Sequence, residues 1–81
     1  MKRGQIVVSK AGRDRGRFMI VVGTDQNCIY VADGKERPLE NPKRKNPMHL
    51  GATHHCLRAG SFATNRAVRK ILRETALTDE F

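Results

Sequence analysis

The chain has 81 residues, with 16 Lys and Arg against 8 Asp and Glu and a formal net charge of +8, which allows one small basic domain and excludes a second. Leu, Ile, Val and Phe together supply eighteen residues, just above the roughly 20% below which a highly charged chain is expected to stay disordered, so the core is small and an acidic partner is expected to add order to it. No apolar run approaches the ~18 residues of a membrane span, and Met1-Lys2-Arg3-Gly4 leads into a strand-like segment instead of the apolar stretch of a signal peptide, so the expectation is a soluble, cytoplasmic protein with no membrane partner.

Gln5–Ser9 predicts a first strand, with Ile6 and Val8 on one face and Val7 on the other. Residues 10–17 have no periodicity, two glycines and four cations, and predict a loop that projects charge. A second strand begins at Arg17: Phe18, Ile20 and Val22 alternate with Met19 and Val21 up to Gly23, apolar on both faces, which places it centrally in a closed or covered sheet. After a turn at 23–27, Cys28-Ile-Tyr-Val-Ala32 predicts a third strand. Asp33-Gly34 is a strong signal for a type I′ hairpin, which predicts a fourth strand over 35–40, held to an edge by Pro38.

Asn41-Pro-Lys-Arg-Lys-Asn-Pro47 predicts an extended, solvated basic loop, and Met48-His-Leu-Gly-Ala-Thr53 a fifth short strand that closes the sheet. From Thr64, a suitable N-cap, to about Leu77, Ala67, Val68, Ile71 and Leu72 recur at helical spacing with Arg66, Arg69, Lys70 and Arg73 between them. Residues 78–81 are expected to fray. Residues 1–58 carry twelve cations and five anions, residues 59–81 four and three, so the charge sits mainly in the β-rich part.

Guanidinium forks match phosphate oxygens bidentately, so Lys10, Arg13, Arg15 and Arg17, presented by a loop between two strands, point to a folded polyanion backbone. Gly12 and Gly16 let the main chain turn sharply and leave N–H groups open to a phosphate. Asp14 is expected to pair with a neighbouring Arg and fix the loop. Lys43-Arg44-Lys45 reads as an arm along a groove, adding affinity through counterion release. For both segments the plainer reading is solubilising surface charge. The row Arg66, Arg69, Lys70, Arg73 likewise reads either as an extension of the same surface or as a solvated helix face. Four aromatic residues and no Trp argue against a wide base-stacking platform, and Tyr30 is read as a core or rim residue.

Cys28 and Cys56 are too few for a disulfide framework and are expected as free thiols. His49, His54, His55 and Cys56, with Cys28, suggest zinc, but adjacent ligands rarely converge on one ion and no Cys-x-x-Cys pair accompanies them. No metal or cofactor is expected. No Gly-Lys-Ser/Thr follows the glycines to make a Walker loop, and a domain this small fills its interior with its own side chains, so no catalytic residue and no enzyme activity are expected.

The segment Val8-Ser-Lys-Ala-Gly-Arg-Asp-Arg-Gly-Arg-Phe-Met-Ile-Val-Val22 is similar to a KOW motif: a strand, a basic loop with an Arg-Gly pair, here Arg15-Gly16, and a second apolar strand. Gly16 falls at the signature glycine, while Met19 stands where many such motifs carry a second one. The wider stretch 3–50, through Val31-Ala-Asp-Gly34 and Pro42-Lys-Arg-Lys45, resembles the KOW-bearing large-subunit ribosomal proteins of archaea and eukaryotes and their stand-alone bacterial relatives. The resemblance covers roughly the first fifty residues and implies a mostly β fold, a small SH3-like barrel of about five strands over residues 1–53; past it, the periodicity predicts an extension over 54–81 with a helix near 64–77. It also implies a non-catalytic, ribosome-associated RNA-binding protein that grips backbone phosphates. The implied partners of this monomer are RNA, ribosomal RNA first, and ribosomal proteins. The RNA-binding surface so drawn comprises Lys2, Arg3, Lys10, Arg13, Arg15, Gly16, Arg17, Lys35, Arg37, Lys43, Arg44 and Lys45. The alternative is a protein-interaction adaptor of the transcription or translation machinery on the same barrel, which requires an exposed apolar groove and weak salt dependence.

Overall fold

Alternating apolar residues in short runs, separated by glycine and charge, fold into five antiparallel strands and one helix. The structure, a computed structural model, describes residues 1–78. The strands are β1 (Gln5–Ser9), β2 (Phe18–Thr24), β3 (Ile29–Ala32), β4 (Lys43–Lys45) and β5 (Leu50–Cys56), and the helix is α1 (Asn65–Thr78). They form one sheet in the order β4-β3-β2-β1-β5, so β2, apolar on both faces, is central as its sequence requires.

β4 and β5 lie at opposite edges of that order, yet only residues 46–49 join them, mostly as a 3₁₀ turn at Pro47–His49. In a flat sheet the two edges would be roughly 19 Å apart, whereas such a connection spans about 13 Å. The sheet therefore curls until its edges approach, as in an SH3-like barrel. Leu50 on one edge strand accordingly packs in one cluster with Ile29 and Val31 of β3, together with Val7, Met19 and Val21.

The opposite face of the same strands is also buried. Ile6, Ile20 and Ala32 pack with Phe62, Val68 and Leu72, so α1 and the 3₁₀ turn Ala59–Phe62 cover the outside of the barrel. Thr64 caps the helix as expected, its Oγ1 accepting a hydrogen bond from the Ala67 N–H at 3.1 Å. The helix runs through Thr78, and the fraying expected at the end of the chain otherwise concerns residues 79–81, which lie outside the described residues. No described helix is long and apolar enough to cross a membrane. Cys28 and Cys56 are free thiols, the first buried and the second exposed.

Three expectations are corrected. Residues 35–40 form a loop, because the Asp33 carboxylate accepts the N–H groups of Lys35 and Arg37 at 2.8 and 2.9 Å, while the Arg37 carbonyl accepts those of Asp33 and Gly34. The chain folds back on its own turn and offers no ladder. Gly34 has φ +79° but Asp33 does not share the positive φ, so no type I′ hairpin forms. The fourth strand is instead Lys43–Lys45, expected as a solvated loop, whose residues pair with Val31, Tyr30 and Ile29 of β3. The fifth strand starts two residues later than expected and extends to Cys56, because Asn46 caps the 3₁₀ turn by accepting the Met48 N–H on its side-chain oxygen.

Loop 33–40 is latched to α1. The Leu39 N–H donates to Asn65 Oδ1 at 2.7 Å, Asn65 Nδ2 donates to the Glu40 carboxylate at 3.0 Å, and a Cβ on Gly34 would stand 2.5 Å from the Asn65 carbonyl oxygen. Gly16 also has positive φ, +87°, but nothing lies within 4 Å of the Cβ it lacks. Gly16→Ala is therefore expected to incur only the left-handed backbone penalty, about 1–2 kcal/mol, and Gly34→Ala clearly more, as denaturant midpoints of the two variants will measure.

Candidate nucleic-acid interface

Loop 10–17 is built from two overlapping turns, with the Arg15 N–H donating to the Gly12 carbonyl at 3.3 Å and the Arg17 N–H to that of Asp14 at 2.9 Å. Its base is closed by bonds from the Ser9 N–H to the Arg17 carbonyl and from the Gly16 N–H to the Ser9 carbonyl, at 2.9 and 2.8 Å. This corrects one expectation: Gly16 has no N–H open to a phosphate, because that donor holds the loop shut.

Asp14 points inward. Its carboxylate accepts Ser9 Oγ at 2.7 Å and Lys45 Nζ at 2.9 Å on Oδ1, and Lys43 Nζ at 3.1 Å on Oδ2. The Lys45 ammonium also donates to Ser9 Oγ at 2.9 Å and the Ala11 carbonyl at 3.0 Å, so its three donors each find an acceptor. Both side chains are nearly sealed from water, with 9% and 7% exposure. Burial works against the Asp14 charge, but the hydrogen bonds from Lys45, Ser9 and Lys43 and the Lys45 charge outweigh it and hold the carboxyl well below the usual carboxylate range. Asp14 thus fixes the loop as expected, but through lysines of β4 and not through a neighbouring Arg.

The same geometry corrects the expected arm. In a strand, alternate side chains face opposite ways, so Lys43 and Lys45 reach Asp14 while Arg44 stands on the outer face, opposite Tyr30. Lys45 is internal and its charge is spent inside the protein. Lys43 is half-buried, and Arg44 is exposed.

With Asp14 turned in, its neighbours Arg13 and Arg15 turn out, their side chains exposed and without a hydrogen bond or ion pair among the described residues. Arg17 Nη1 meets Glu36 Oε2 at 2.6 Å, both side chains at least half exposed. Arg13, Arg17, Arg37 and Lys43 converge on one cleft of about 380 Å³, which Asp14, Asp33 and Glu36 also line. Lys10, Arg15 and Gly16 line a concavity on the other side of the loop, and Lys35 borders a third with Gly16 and Arg17. Lys2 and Arg3 lie at the opposite end of β1 from the loop, where the Arg3 guanidinium sits 5.7 Å from the Phe62 ring centroid. The structure thus brings together loop 10–17, loop 33–40 and Lys43, and sets Lys2 and Arg3 apart. Among the described residues no group of three His, Cys, Asp or Glu side chains is placed to hold a metal ion.

Sequence reasoning missed the lysine partners of Asp14 and the partner of Arg17. The available signal was an isolated acid in a run of cations, with a second acid, Glu36, in another basic segment.

Compared with known proteins, the chain is 32% identical over 77 residues to the large ribosomal subunit protein eL14 of Desulfurococcus amylolyticus, covering 94% of this chain and 80% of that protein. The chain belongs to the eL14 family. No protein-family model matches it. With so much of the chain matched, loop 10–17 and β4 both fall inside the length shared with the eL14 relative.

Removing one partner of a buried ion pair strands the other charge. Asp14→Asn is expected to lower stability on the order of 3–5 kcal/mol, read from urea midpoints at neutral pH. A pH series separates charge from shape. Because the folded-state value lies below the unfolded value of 3.8, the unfolded chain takes up the proton first, so the Asp14 contribution is full at neutral pH and declines as pH falls below about 4. The wild-type midpoint is expected to drop there more steeply than that of Asp14→Asn, and parallel curves for the two proteins would remove the charge from the explanation.

Proposed function

We propose that the protein is a non-catalytic RNA-binding protein associated with the ribosome in the cytoplasm, and that it grips the phosphate backbone of ribosomal RNA with loop 10–17 and the cations around it. The observation that carries this reading is the convergence of Arg13, Arg17, Arg37 and Lys43 on one cleft, above a loop whose fixed acid is turned inward, in a chain similar to a large-subunit ribosomal protein. Arg13 and Arg15 are the primary phosphate ligands, since they are exposed and uncommitted. Arg17 joins them because its exposed pair with Glu36 is worth little and a phosphate can take the place of the carboxylate. Lys10, Lys35, Arg37 and Lys43 extend the surface, and Arg44 adds charge on the outer face of β4. Lys45 and Gly16 act from within, by holding the loop in shape, while Lys2 and Arg3 are outlying cations.

Phosphate contacts of this kind set position and affinity but carry no sequence information. Affinity is therefore expected to depend steeply on salt. The variant Arg13→Ala, Arg15→Ala is expected to keep its stability within about 0.5 kcal/mol and to lower the slope of log affinity against log salt by about 1.4–1.8, from roughly 0.7–0.9 for each phosphate no longer neutralised. Filter binding to purified large-subunit ribosomal RNA over a salt series, with heparin as a control polyanion, tests this. Unchanged affinity and slope in the variant would assign the loop to a protein partner.

A further inference from the structure

The helix carries a feature that its packing does not explain. Arg66, Arg69, Lys70 and Arg73 recur at i, i+3, i+4 and i+7, so they form one stripe, separate from Val68 and Leu72, which are buried against the barrel. All four line a single cavity of about 420 Å³. A solvated helix face gains from alternating signs at i,i+4. Here Arg66 with Lys70 and Arg69 with Arg73 are both like-charged pairs, and Glu74, the one acid among the described residues of α1, does not line the cavity. Among the described residues no acid lines this stripe.

The stripe is also continuous with the cleft beside loop 10–17. A middle groove of about 670 Å³ is lined by Arg17, Lys35, Arg69 and Arg73, with Asp33, Phe18 and Leu72 among them. Arg17 belongs to both the cleft and this groove, and Arg69 and Arg73 to both this groove and the helix cavity. Arg69 Nη1 donates to the Gly34 carbonyl at 2.7 Å, which ties the helix side of the groove to loop 33–40.

We infer that the RNA backbone runs on from loop 10–17 through this groove to the stripe of α1, which forms a second phosphate grip. This rests on the RNA reading above and adds where the RNA goes. Arg69 positions loop 33–40, and Arg66, Lys70 and Arg73 meet the phosphates. The helix is thus part of the binding surface as well as a lid on the barrel.

The test compares three full-length variants with wild type on purified large-subunit ribosomal RNA over a salt series: Arg66→Gln, Lys70→Gln, Arg73→Gln together; Arg66→Lys, Arg73→Lys together; and the loop variant Arg13→Ala, Arg15→Ala. All three substituted helix positions are exposed, and thermal melts confirm the fold. The Gln variant is expected to lose about 2–3 from the salt slope, with the Lys variant retaining the wild-type slope. If the loop variant flattens the slope while the Gln variant leaves affinity and slope unchanged, the inference fails and the RNA reading stands. If neither variant alters binding, both fail. If the Gln variant binds RNA normally but no longer co-sediments with large subunits, the stripe contacts a protein and the inference is overturned.

Discussion

One buried carboxylate organises this basic chain. Asp14 joins the loop between β1 and β2 to β4 at the far edge of the sheet, through Lys45, and so ties the end of β1 to a strand with which it shares no ladder. Burying such a pair costs desolvation that attraction alone seldom repays. Here Ser9, the Ala11 carbonyl and Lys43 complete the set, and no buried side-chain nitrogen or oxygen among the described residues lacks a hydrogen-bond partner. The internal position of Asp14 also sorts the cations: its lysine partners turn inward to balance it, and its arginine neighbours turn outward.

The rest of the molecule follows from a sheet buried on both faces. Val7, Met19 and Val21 fill the barrel, while Ile6, Ile20 and Ala32 receive the helix. A barrel with α1 across it needs a bridge between loop and helix, and loop 33–40 is that bridge. Its acids are tied to neighbouring side chains and backbone, with Glu36 on Arg17, Glu40 on the Asn65 amide and Asp33 on its own turn. Its own cations, Lys35 and Arg37, border the grooves between the neighbouring elements. Charge drawn from distant stretches of sequence therefore forms one surface.

The periodic parts of this architecture were legible in the sequence. β1, β2, β3 and α1 announce themselves because apolar residues recur every two or every 3.6 positions and tertiary packing agrees with that pattern. β4 was hidden because its inward-facing residues are lysines: a charge run normally means solvent, and only an acid some thirty residues away makes it a strand. The segment at 35–40 misled for the reverse reason, since Asp33-Gly34 signals a hairpin while the Asp33 side chain takes the N–H groups on which a ladder would begin. At the candidate site, Arg13, Arg15 and Arg17 could be read directly as outward-facing cations of a loop. The internal role of Lys45 could not, because local sequence does not reveal which of two lysines two positions apart will be sealed from water.

The covered outer face sets an order of events during synthesis. Ile6, Ile20 and Ala32 are translated well before Phe62, Val68 and Leu72, the side chains that shield them. A nascent chain that has completed its five strands still presents an apolar wall to its surroundings, and this wall stays open until the helix has cleared the exit tunnel and docked. Such transiently exposed surface favours aggregation and chaperone capture. A stop codon placed just after β5 would leave that exposure permanent, so the helix sets the point at which the emerging polypeptide can leave quality-control factors behind.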